Sequence, residues 1–204
     1  MRIRAWRVPP YDNGTYLIVD DHGEALAIDP SMGERQLLQA VEEEGLRLQA
    51  ILNSHGHPDH VYGNKAVKEG TRARLAIHSA DAYRLASSRS QLGFEVPLCQ
   101  PDDLLEEGPV GYVTDVEIMA LHTPGHTEGS TCFYLPREGT LFSGDVLFAG
   151  NIGRVDLPGG DQDAMERSLG RLAALPAATV VYPGHGPATT IGDELPWLRG
   201  FRFS

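Results

Sequence analysis

The chain has 204 residues, of which 41% are hydrophobic and 22% charged, and its formal net charge is −11. These are ordinary globular values, and they exclude a disordered, collagen-like or coiled-coil chain. The length fits one domain, so we expect a single domain over residues 1–204. Because the charge is acidic and no basic run is present, nucleic acid is a poor candidate partner.

The amino-acid pattern also argues against a membrane protein. No apolar run approaches the roughly 18 residues expected of a membrane span, and the first residues carry no secretory signal. We therefore expect a cytoplasmic protein with no membrane partner, and the sequence leaves its oligomeric state open. Cys99 and Cys132 form no closely spaced pair, and the apolar neighbours of Cys132 indicate a core position.

Apolar runs and turn residues predict the elements in chain order. Strands are expected at residues 2–8, 15–19, 24–28, 48–52, 73–77, 113–121, 130–135, 139–143 and 178–182. Helices are expected at residues 34–44, 59–69, 80–87 and 162–174, with Ser79 and Asp161 as N-caps of the last two. Residues 90–110 carry scattered proline and glycine and are expected to form a variable loop. Groups of strands interrupted by single helices predict two sheets covered by helices, of the α+β or layered α/β class.

Three histidines and one aspartate lie within six residues, as His55, His57, Asp59 and His60 in the pattern H-x-H-x-D-H. The expected strand at 48–52 delivers this segment to a loop, where His55 and His57 can point to the same side. At the composition of this chain, such a pattern arises by chance roughly once in a thousand cases. Imidazole and carboxylate are ligands that zinc and similar ions prefer, so the segment predicts a metal site.

Three further side chains of the metal-ligand type each follow an expected strand and a glycine. They are His126 in Thr-Pro-Gly-His, Asp145 in Phe-Ser-Gly-Asp and His185 in Tyr-Pro-Gly-His. Glycine permits close backbone approach, and proline stiffens a loop, so these contexts suit compact ligand loops. The shared pattern indicates that the three side chains join the same site.

With these motifs, the chain resembles metallo-β-lactamase-fold hydrolases of the glyoxalase II-like branch, from Asp29-Pro30 to the Pro-Gly-His-Gly segment that ends at Gly186. The resemblance implies an α/β fold, a four-layer αβ/βα sandwich with the site at one edge of the two sheets. It also implies two divalent metal ions per chain, zinc foremost and iron or manganese as alternatives. The ligands that it assigns are His55, His57 and His126 for the first ion, Asp59, His60 and His185 for the second, and Asp145 as a bridge.

A two-metal site of this kind implies hydrolysis of a small-molecule thioester or ester. A bridging hydroxide would attack the carbonyl, and the metal ions would stabilise the oxyanion and the leaving thiolate or alkoxide. Asp59 and Asp145 would lower the net charge of the metal pair, and Asp145 would fix its spacing. The β-lactamases of the fold lack the bridging carboxylate, so Asp145 argues against β-lactam hydrolysis.

Two departures from glyoxalase II concern the substrate. That family adds a helical domain that helps hold glutathione, and the resemblance here extends only to about His185. In the loop after the bridging carboxylate, the family has a lysine and a tyrosine that bind glutathione, whereas the nearest positions here are Arg154 and Asp156. Arginine binds carboxylates, but an ionised aspartate cannot donate a hydrogen bond. We therefore expect Arg154 to bind substrate and lactoylglutathione to show a high KM.

The ligands alone leave other classes open. The chain also resembles persulfide dioxygenases of the same fold, which bind one Fe(II) with the equivalents of His55, His126 and Asp145. Lactonases are a further alternative, because they share the two-metal ligands. The segment 150–160 is similar to glyoxalase II-like sequences and favours the hydrolase. A metal-dependent binding module is a further alternative, and the acidic charge disfavours a nuclease. Tyr11 and Tyr62 are further candidate pocket residues.

Overall fold

The computed structural model describes residues 1–86 and 94–203, and the strands of its N-terminal half form one sheet in chain order. β1 to β3 pair antiparallel, and β3 to β6 pair parallel. These strands are β1 (Arg2–Val8), β2 (Asn13–Val19), β3 (Glu24–Ile28), β4 (Arg47–Leu52), β5 (Arg74–His78) and β6 (Asp103–Leu105). The helices of this half are α1 (Glu34–Glu43), α2 (Pro58–Val61), α3 (Asn64–Thr71) and the 3₁₀ helix Ser79–Ala86.

The C-terminal half forms a second sheet and a separate two-stranded ribbon. Its strands are β7 (Gly108–Val110), β8 (Ile118–His122), β9 (Thr131–Leu135), β10 (Thr140–Gly144), β11 (Leu147–Phe148), β12 (Asn151–Ile152), β13 (Val180–Pro183) and β14 (Thr189–Thr190). The second sheet has the order β14-β13-β10-β9-β8-β7, and β11 pairs with β12. Two helices belong to this half, α4 (Gln162–Leu172) and α5 (Ile191–Leu198).

Three apolar clusters hold these elements together as layers. The central cluster joins the facing sides of the two sheets, and the rings of Tyr16 and Phe142 lie 5.0 Å apart within it. Leu37 of α1 belongs to a cluster on the outer face of the first sheet, and Met165 of α4 belongs to a cluster on the outer face of the second. Alternating side chains let each strand serve two clusters at once. The expected four-layer αβ/βα arrangement is confirmed.

Two of the expected elements are shorter or divided. The helix expected at 59–69 is two helices, α2 and α3, which are separated near Gly63. A Cβ atom at Gly63 would lie 2.5 Å from the carbonyl oxygen of Ser31, so the backbone turns in close contact with another loop. Of the strand expected at 113–121, only the C-terminal part forms a strand, β8. Val113 lies outside it, and its apolar side chain is buried in the central cluster without strand pairing.

The sequence pattern did not indicate several short elements, namely β6, β7, β11, β12, β14 and α5. The segment expected as a loop at 90–110 contains β6 and β7, and its residues 90–93 lie outside the described residues. The helix expected at 80–87 is the 3₁₀ helix, and position 87 is likewise outside that range. Asp161 does cap α4, by accepting a hydrogen bond from Ala164 N–H at 2.8 Å. Within the described residues, no helix has the length and apolar character needed to span a bilayer.

Candidate metal centre

The seven side chains that the sequence singled out converge at one place in the fold. Five lie in the loops that follow β4, β8, β10 and β13, while Asp59 and His60 lie in α2, which continues the loop after β4. The carboxyl ends of strands from both sheets therefore meet there. Five of the seven are buried, whereas His57 and His185 are partly buried, and the side chain of His185 is 25% exposed. The structure thus brings all the expected residues together, although they come from positions 55 to 185 of the chain.

Three histidines form the first group of potential ligands. The available nitrogen atoms of His55, His57 and His126 lie within 4.8 Å of one another. Nδ1 of His57 and Nε2 of His126 face each other at 2.8 Å. Nε2 of His55 is buried and has no hydrogen-bond partner among the described residues. Because a buried polar atom without a partner is costly, this nitrogen is suited to a metal ion.

One aspartate and two histidines form the second group. Ligand atoms of Asp59, His60 and His185 also lie within 4.8 Å of one another. The two Nε2 atoms of His60 and His185 are 3.2 Å apart. Oδ2 of Asp59 lies 3.6 Å from Nε2 of His60 and 3.4 Å from Nε2 of His185. This mixture of imidazole and carboxylate is typical of sites for zinc, iron or manganese.

The carboxylate of Asp145 lies between the two groups. Its Oδ1 is 3.3 Å from Nε2 of His60, and its Oδ2 is 3.4 Å from Nε2 of both His126 and His185. Oδ1 is buried and, within residues 1–86 and 94–203, makes no hydrogen bond of good geometry. One carboxylate therefore contacts histidines of both groups, and this is the position that a ligand shared by two metal ions requires.

Backbone carbonyl groups fix the tautomers of two histidines. Nδ1 of His126 lies 2.7 Å from the carbonyl oxygen of Arg154, and Nδ1 of His185 lies 2.7 Å from that of Tyr11. A carbonyl oxygen accepts only, so each Nδ1 must donate. In the neutral ring, Nε2 then carries a free lone pair, and in both cases this atom faces the cluster. The donor set therefore fits the metal ions that the sequence predicts.

Charges in the cluster act differently on the two groups of histidines. Burial and the neighbouring ring of His126 lower the pKa of His57 to about 3, and burial lowers the pKa of His55 well below its usual range. Both rings are thus neutral, which is the form that binds metal. For His185, burial acts in the same direction, but hydrogen bonds to Asp145 and Asp59 outweigh it and raise the pKa to about 9.

The opposite charges of His60 and Asp145 also shift each other's pKa. Burial disfavours the charged form of each, but their mutual attraction outweighs burial. The pKa of His60 is therefore well above its usual range, and the pKa of Asp145 is well below its usual range. The carboxylates thus favour positive charge at His60 and His185, and a divalent cation bound there would supply that charge instead of protons.

Two supporting residues were not identified as functional from the sequence. Asp29 accepts hydrogen bonds from Ser54 N–H at 2.8 Å and from Nδ1 of His60 at 3.0 Å, and so orients that ring. The side chain of Asn13, at the start of β2, donates to Oδ2 of Asp59 at 3.0 Å. Partners of this kind hold metal ligands in place. The available signal was weak: Asp29, like Asp145, follows a buried strand.

Arg154 contributes to the centre through its backbone, as described for His126. Its exposed guanidinium forms two 2.7 Å hydrogen bonds with Asp156, so its charge is already paired. Its assignment as a substrate-binding residue stays a prediction.

Aromatic rings line the side of the centre near His185. The ring of Phe148 lies 6.0 Å from that of His185, and the Phe94 ring lies 6.5 Å from Tyr11 and 5.7 Å from Tyr62. All four aromatic side chains are partly exposed. Phe148 thus offers an apolar surface beside His185, and the other three rings pack together at Tyr11, whose carbonyl oxygen accepts from His185.

Comparisons with known proteins agree with this geometry. The family model described as the metallo-beta-lactamase superfamily matches residues 10–185. The chain belongs to this superfamily. Among its relatives, the probable metallo-hydrolase YqgX of Bacillus subtilis is 34% identical over 98% of this chain and 99% of its own length. Hydroxyacylglutathione hydrolase GloC of Haemophilus influenzae is 33% identical over 95% of each chain.

Solved structures of superfamily members share the whole fold. The BLEG-1 B3 metallo-beta-lactamase has a TM-score of 0.90 and 33% identity, covering 98% of this chain and all of its own. TTHA1623 in a di-iron-bound form has a TM-score of 0.83 and 36% identity, covering 94% of this chain and 96% of that one. ETHE1 from Myxococcus xanthus has a TM-score of 0.82 and 29% identity, covering 98% and 85%. The fold is thus shared by a protein named as a metallo-beta-lactamase and by one solved in a di-iron-bound form.

Gly184 provides a test of the close packing around Asp145. A Cβ atom at this position would lie 2.1 Å from Oδ1 of Asp145 and 2.8 Å from the His60 ring. Gly184→Ala should therefore displace the carboxylate and weaken zinc binding by at least about 10-fold, in the range known for disturbed ligand positioning. The measurement is a zinc titration in competition with a chromophoric chelator.

Gly170→Ala is the matched control, because the corresponding Cβ in α4 meets no atom within 4 Å. It should bind zinc as the unmodified chain does. Equal zinc affinity of the Gly184→Ala protein would show that the Asp145 carboxylate is free to move without loss of metal.

Proposed function

We propose that the chain is a dinuclear-metal hydrolase that cleaves a thioester or ester bond of a small molecule. The observation that carries the proposal is the position of Asp145, whose carboxylate contacts histidines of both ligand groups. The hydroxyacylglutathione hydrolase relative, similar over nearly the whole chain, supports the thioester class.

The proposed ligands follow the two groups of side chains. His55, His57 and His126 would bind the first ion, Asp59, His60 and His185 the second, and Asp145 both. Imidazole and carboxylate ligands favour zinc. The di-iron form of TTHA1623 supports iron as the alternative. When bound, two divalent ions lower the pKa of water toward neutrality and stabilise negative charge on a carbonyl oxygen and a leaving group.

The chain's own residues then hold, charge-balance and shape the centre. Asp59 and Asp145 offset the positive charge of the ions, while Asn13 keeps the Asp59 carboxylate in place through its 3.0 Å hydrogen bond. The aromatic side chains near His185 provide a surface for the apolar part of the acyl group or thiol. No serine or cysteine nucleophile is needed, and Cys132 is fully buried in an apolar cluster.

A second candidate is a persulfide dioxygenase with one Fe(II). The similarity to ETHE1 favours it, and His55, His126 and Asp145 would form its two-histidine, one-carboxylate ligand set. A lactonase would use the same two-metal ligands as a thioesterase. The likeness to BLEG-1 makes a β-lactam a necessary comparison substrate, although Asp145 argues against that activity.

Metal content and oxygen dependence together separate the hydrolase from the dioxygenase, and the choice of substrate separates the hydrolase classes. The zinc-reconstituted protein should contain up to two ions per chain and cleave a thioester without O₂, releasing a thiol that a chromogenic thiol reagent detects. Elemental analysis and anaerobic assays on a thioester, a lactone and a β-lactam make the measurement. The control is the same protein loaded with Fe(II) and given a persulfide under air.

O₂ consumption with the persulfide, together with no thioester cleavage by the zinc protein, would favour the dioxygenase. Only trace metal after reconstitution would overturn both candidates.

Asp145→Ala tests the bridging position. The variant loses a ligand and leaves positive charge between the ions uncompensated. We expect loss of one ion and a fall in kcat of at least about 100-fold, measured by elemental analysis and steady-state kinetics. The exposed Asp115 offers a control, since Asp115→Ala should retain both ions and full turnover. Unchanged stoichiometry and turnover in Asp145→Ala would place this residue outside the reaction centre.

The Arg154–Asp156 pair tests how substrate charge is recognised. Arg154→Ala should raise KM for anionic thioesters, including lactoylglutathione, and leave KM for neutral thioesters nearly unchanged. Asp156→Asn weakens the pairing that neutralises the guanidinium, so it should lower KM for the anionic substrates. Saturation curves for one anionic and one neutral thioester measure both effects. Equal losses on the two substrates would mean that recognition of charge lies elsewhere.

A further inference from the structure

Asp81 is a fully buried carboxylate in the 3₁₀ helix Ser79–Ala86. Its Oδ2 accepts hydrogen bonds from Gly56 N–H at 2.7 Å and from the Thr127 hydroxyl at 2.8 Å. Its Oδ1 accepts from Gly129 N–H at 2.9 Å and from the guanidinium of Arg84 at 3.3 Å. A carboxylate has about four acceptor positions, so the hydrogen-bonding capacity of Asp81 is fully used.

Three of the four donors to Asp81 belong to the two loops that carry the first ligand group, and the fourth, Arg84, belongs to the 3₁₀ helix itself. Gly56 lies between His55 and His57, while Thr127 and Gly129 follow His126. One carboxylate therefore ties together the loops that present all three histidines of that group. Bonds to a charged acceptor are stronger than neutral ones, so the connection is stiff.

The 3₁₀ helix also packs directly against both loops. A Cβ atom at Gly129 would lie 2.7 Å from the backbone nitrogen and the Cβ of Asp81, and one at Gly56 would lie 2.7 Å from the Cβ of Arg84. The loops consequently have no room to shift toward the helix. Arg84 extends the contact by donating to the carbonyl oxygen of Pro158 at 2.9 Å.

The second ligand group has different anchors. Asp29 orients His60, Asn13 holds Asp59, and the carbonyl oxygen of Tyr11 accepts from His185. None of these contacts involves Asp81 or the 3₁₀ helix. Asp81 thus contacts only the loops of the first group, whereas Asp29 reaches both groups, because the Ser54 hydroxyl donates to Asp29 and lies 3.0 Å from Nδ1 of His55.

We propose that Asp81 is a positioning residue that sets the spacing of the His55–His57 and His126 loops, and through it the affinity for the first metal ion alone. This inference rests on the proposed two-metal function. Loss of a supporting hydrogen bond around metal ligands typically lowers metal affinity by about 10- to 100-fold. Asp81→Asn should produce such a loss for the first ion and leave the second ion's affinity unchanged.

Imidazole N–H signals in ¹⁵N-resolved NMR report on the two groups separately. The Nδ1–H of His126, hydrogen-bonded to Arg154, reports the first group, and those of His60 and His185 report the second. In Asp81→Asn, the amide cannot accept from all four donors. During a zinc titration in competition with a chelator, the His126 signal should therefore change at about 10-fold or more higher free zinc than in the unmodified protein. The His60 and His185 signals should change at the same free zinc in both proteins.

Two further variants separate positioning from a general loss of stability. Asp20→Asn removes a buried carboxylate that accepts from His22 N–H and Glu24 N–H in the β2–β3 turn, away from the ligand loops. It should leave all three imidazole titrations unchanged even if the melting temperature falls. Thr127→Val removes one donor to Asp81, so the His126 signal should again change only at higher free zinc. Thr127→Ser keeps the hydroxyl and should return this change to the free zinc of the unmodified protein.

If Asp81→Asn fails to fold, Thr127→Val carries the test alone. The role of Asp81 would be overturned, with the hydrolase proposal intact, if all three signals shifted equally to higher free zinc or if the His126 signal did not shift. Absence of zinc-dependent changes in the unmodified protein would overturn both.

Discussion

Burial of several histidines and carboxylates in one place is the constraint on which the centre depends. Each such group loses hydration, and it is stable only if it finds a hydrogen-bond partner, an opposite charge or a metal ion. For most of these groups, the structure supplies hydrogen-bond partners or opposite charges. Backbone carbonyl oxygens accept from His126 and His185, Asn13 donates to Asp59, and Asp29 accepts from His60. In the described part of the chain, Nε2 of His55 has no hydrogen-bond partner, and Oδ1 of Asp145 has only its 3.3 Å contact with Nε2 of His60. Those orphaned atoms, from the first group and from the shared carboxylate, are where cations would be most stabilising.

The constraint explains why the ligands lie at strand ends. The strands before His55, Asp145 and His185 are largely buried between helices and the facing sheet, so the backbone at their ends has a defined position. Glycines next to the ligands then allow approaches that a Cβ would prevent. A Cβ at Gly153, for instance, would lie 1.8 Å from the carbonyl oxygen of Asp145. Rigid strands and small residues together place side chains from distant parts of the chain within hydrogen-bonding distance.

The same facts determine what the sequence could predict. The ligands were accessible because H-x-H-x-D-H is a local pattern, and because each later ligand follows an apolar strand and a glycine. The contacts of Asp81 with Gly56 and Gly129 span 25 and 48 residues, so no local pattern contains them. Long apolar strands were predictable from hydrophobic runs, but the short strands β6 and β7 depend on pairing partners. Helix α5 contains Pro196, a residue that ordinarily interrupts a helix pattern, and its stability comes from packing against the second sheet.

The buried carboxylates near the centre divide into two roles that composition alone does not distinguish. Asp59 and Asp145 face the histidine nitrogens, whereas Asp29, Asp81 and Glu194 accept backbone N–H groups from the loops at Ser54, Gly56, Gly129 and Gly150. A carboxylate suits the anchoring role because it accepts several donors at once and its charge strengthens each bond. Its negative charge also partly offsets that of nearby cations, which extends the charge balance beyond the ligands themselves. The anchoring residues are therefore as much a condition of the metal centre as the ligands, because they fix the geometry in which the ligands can bind.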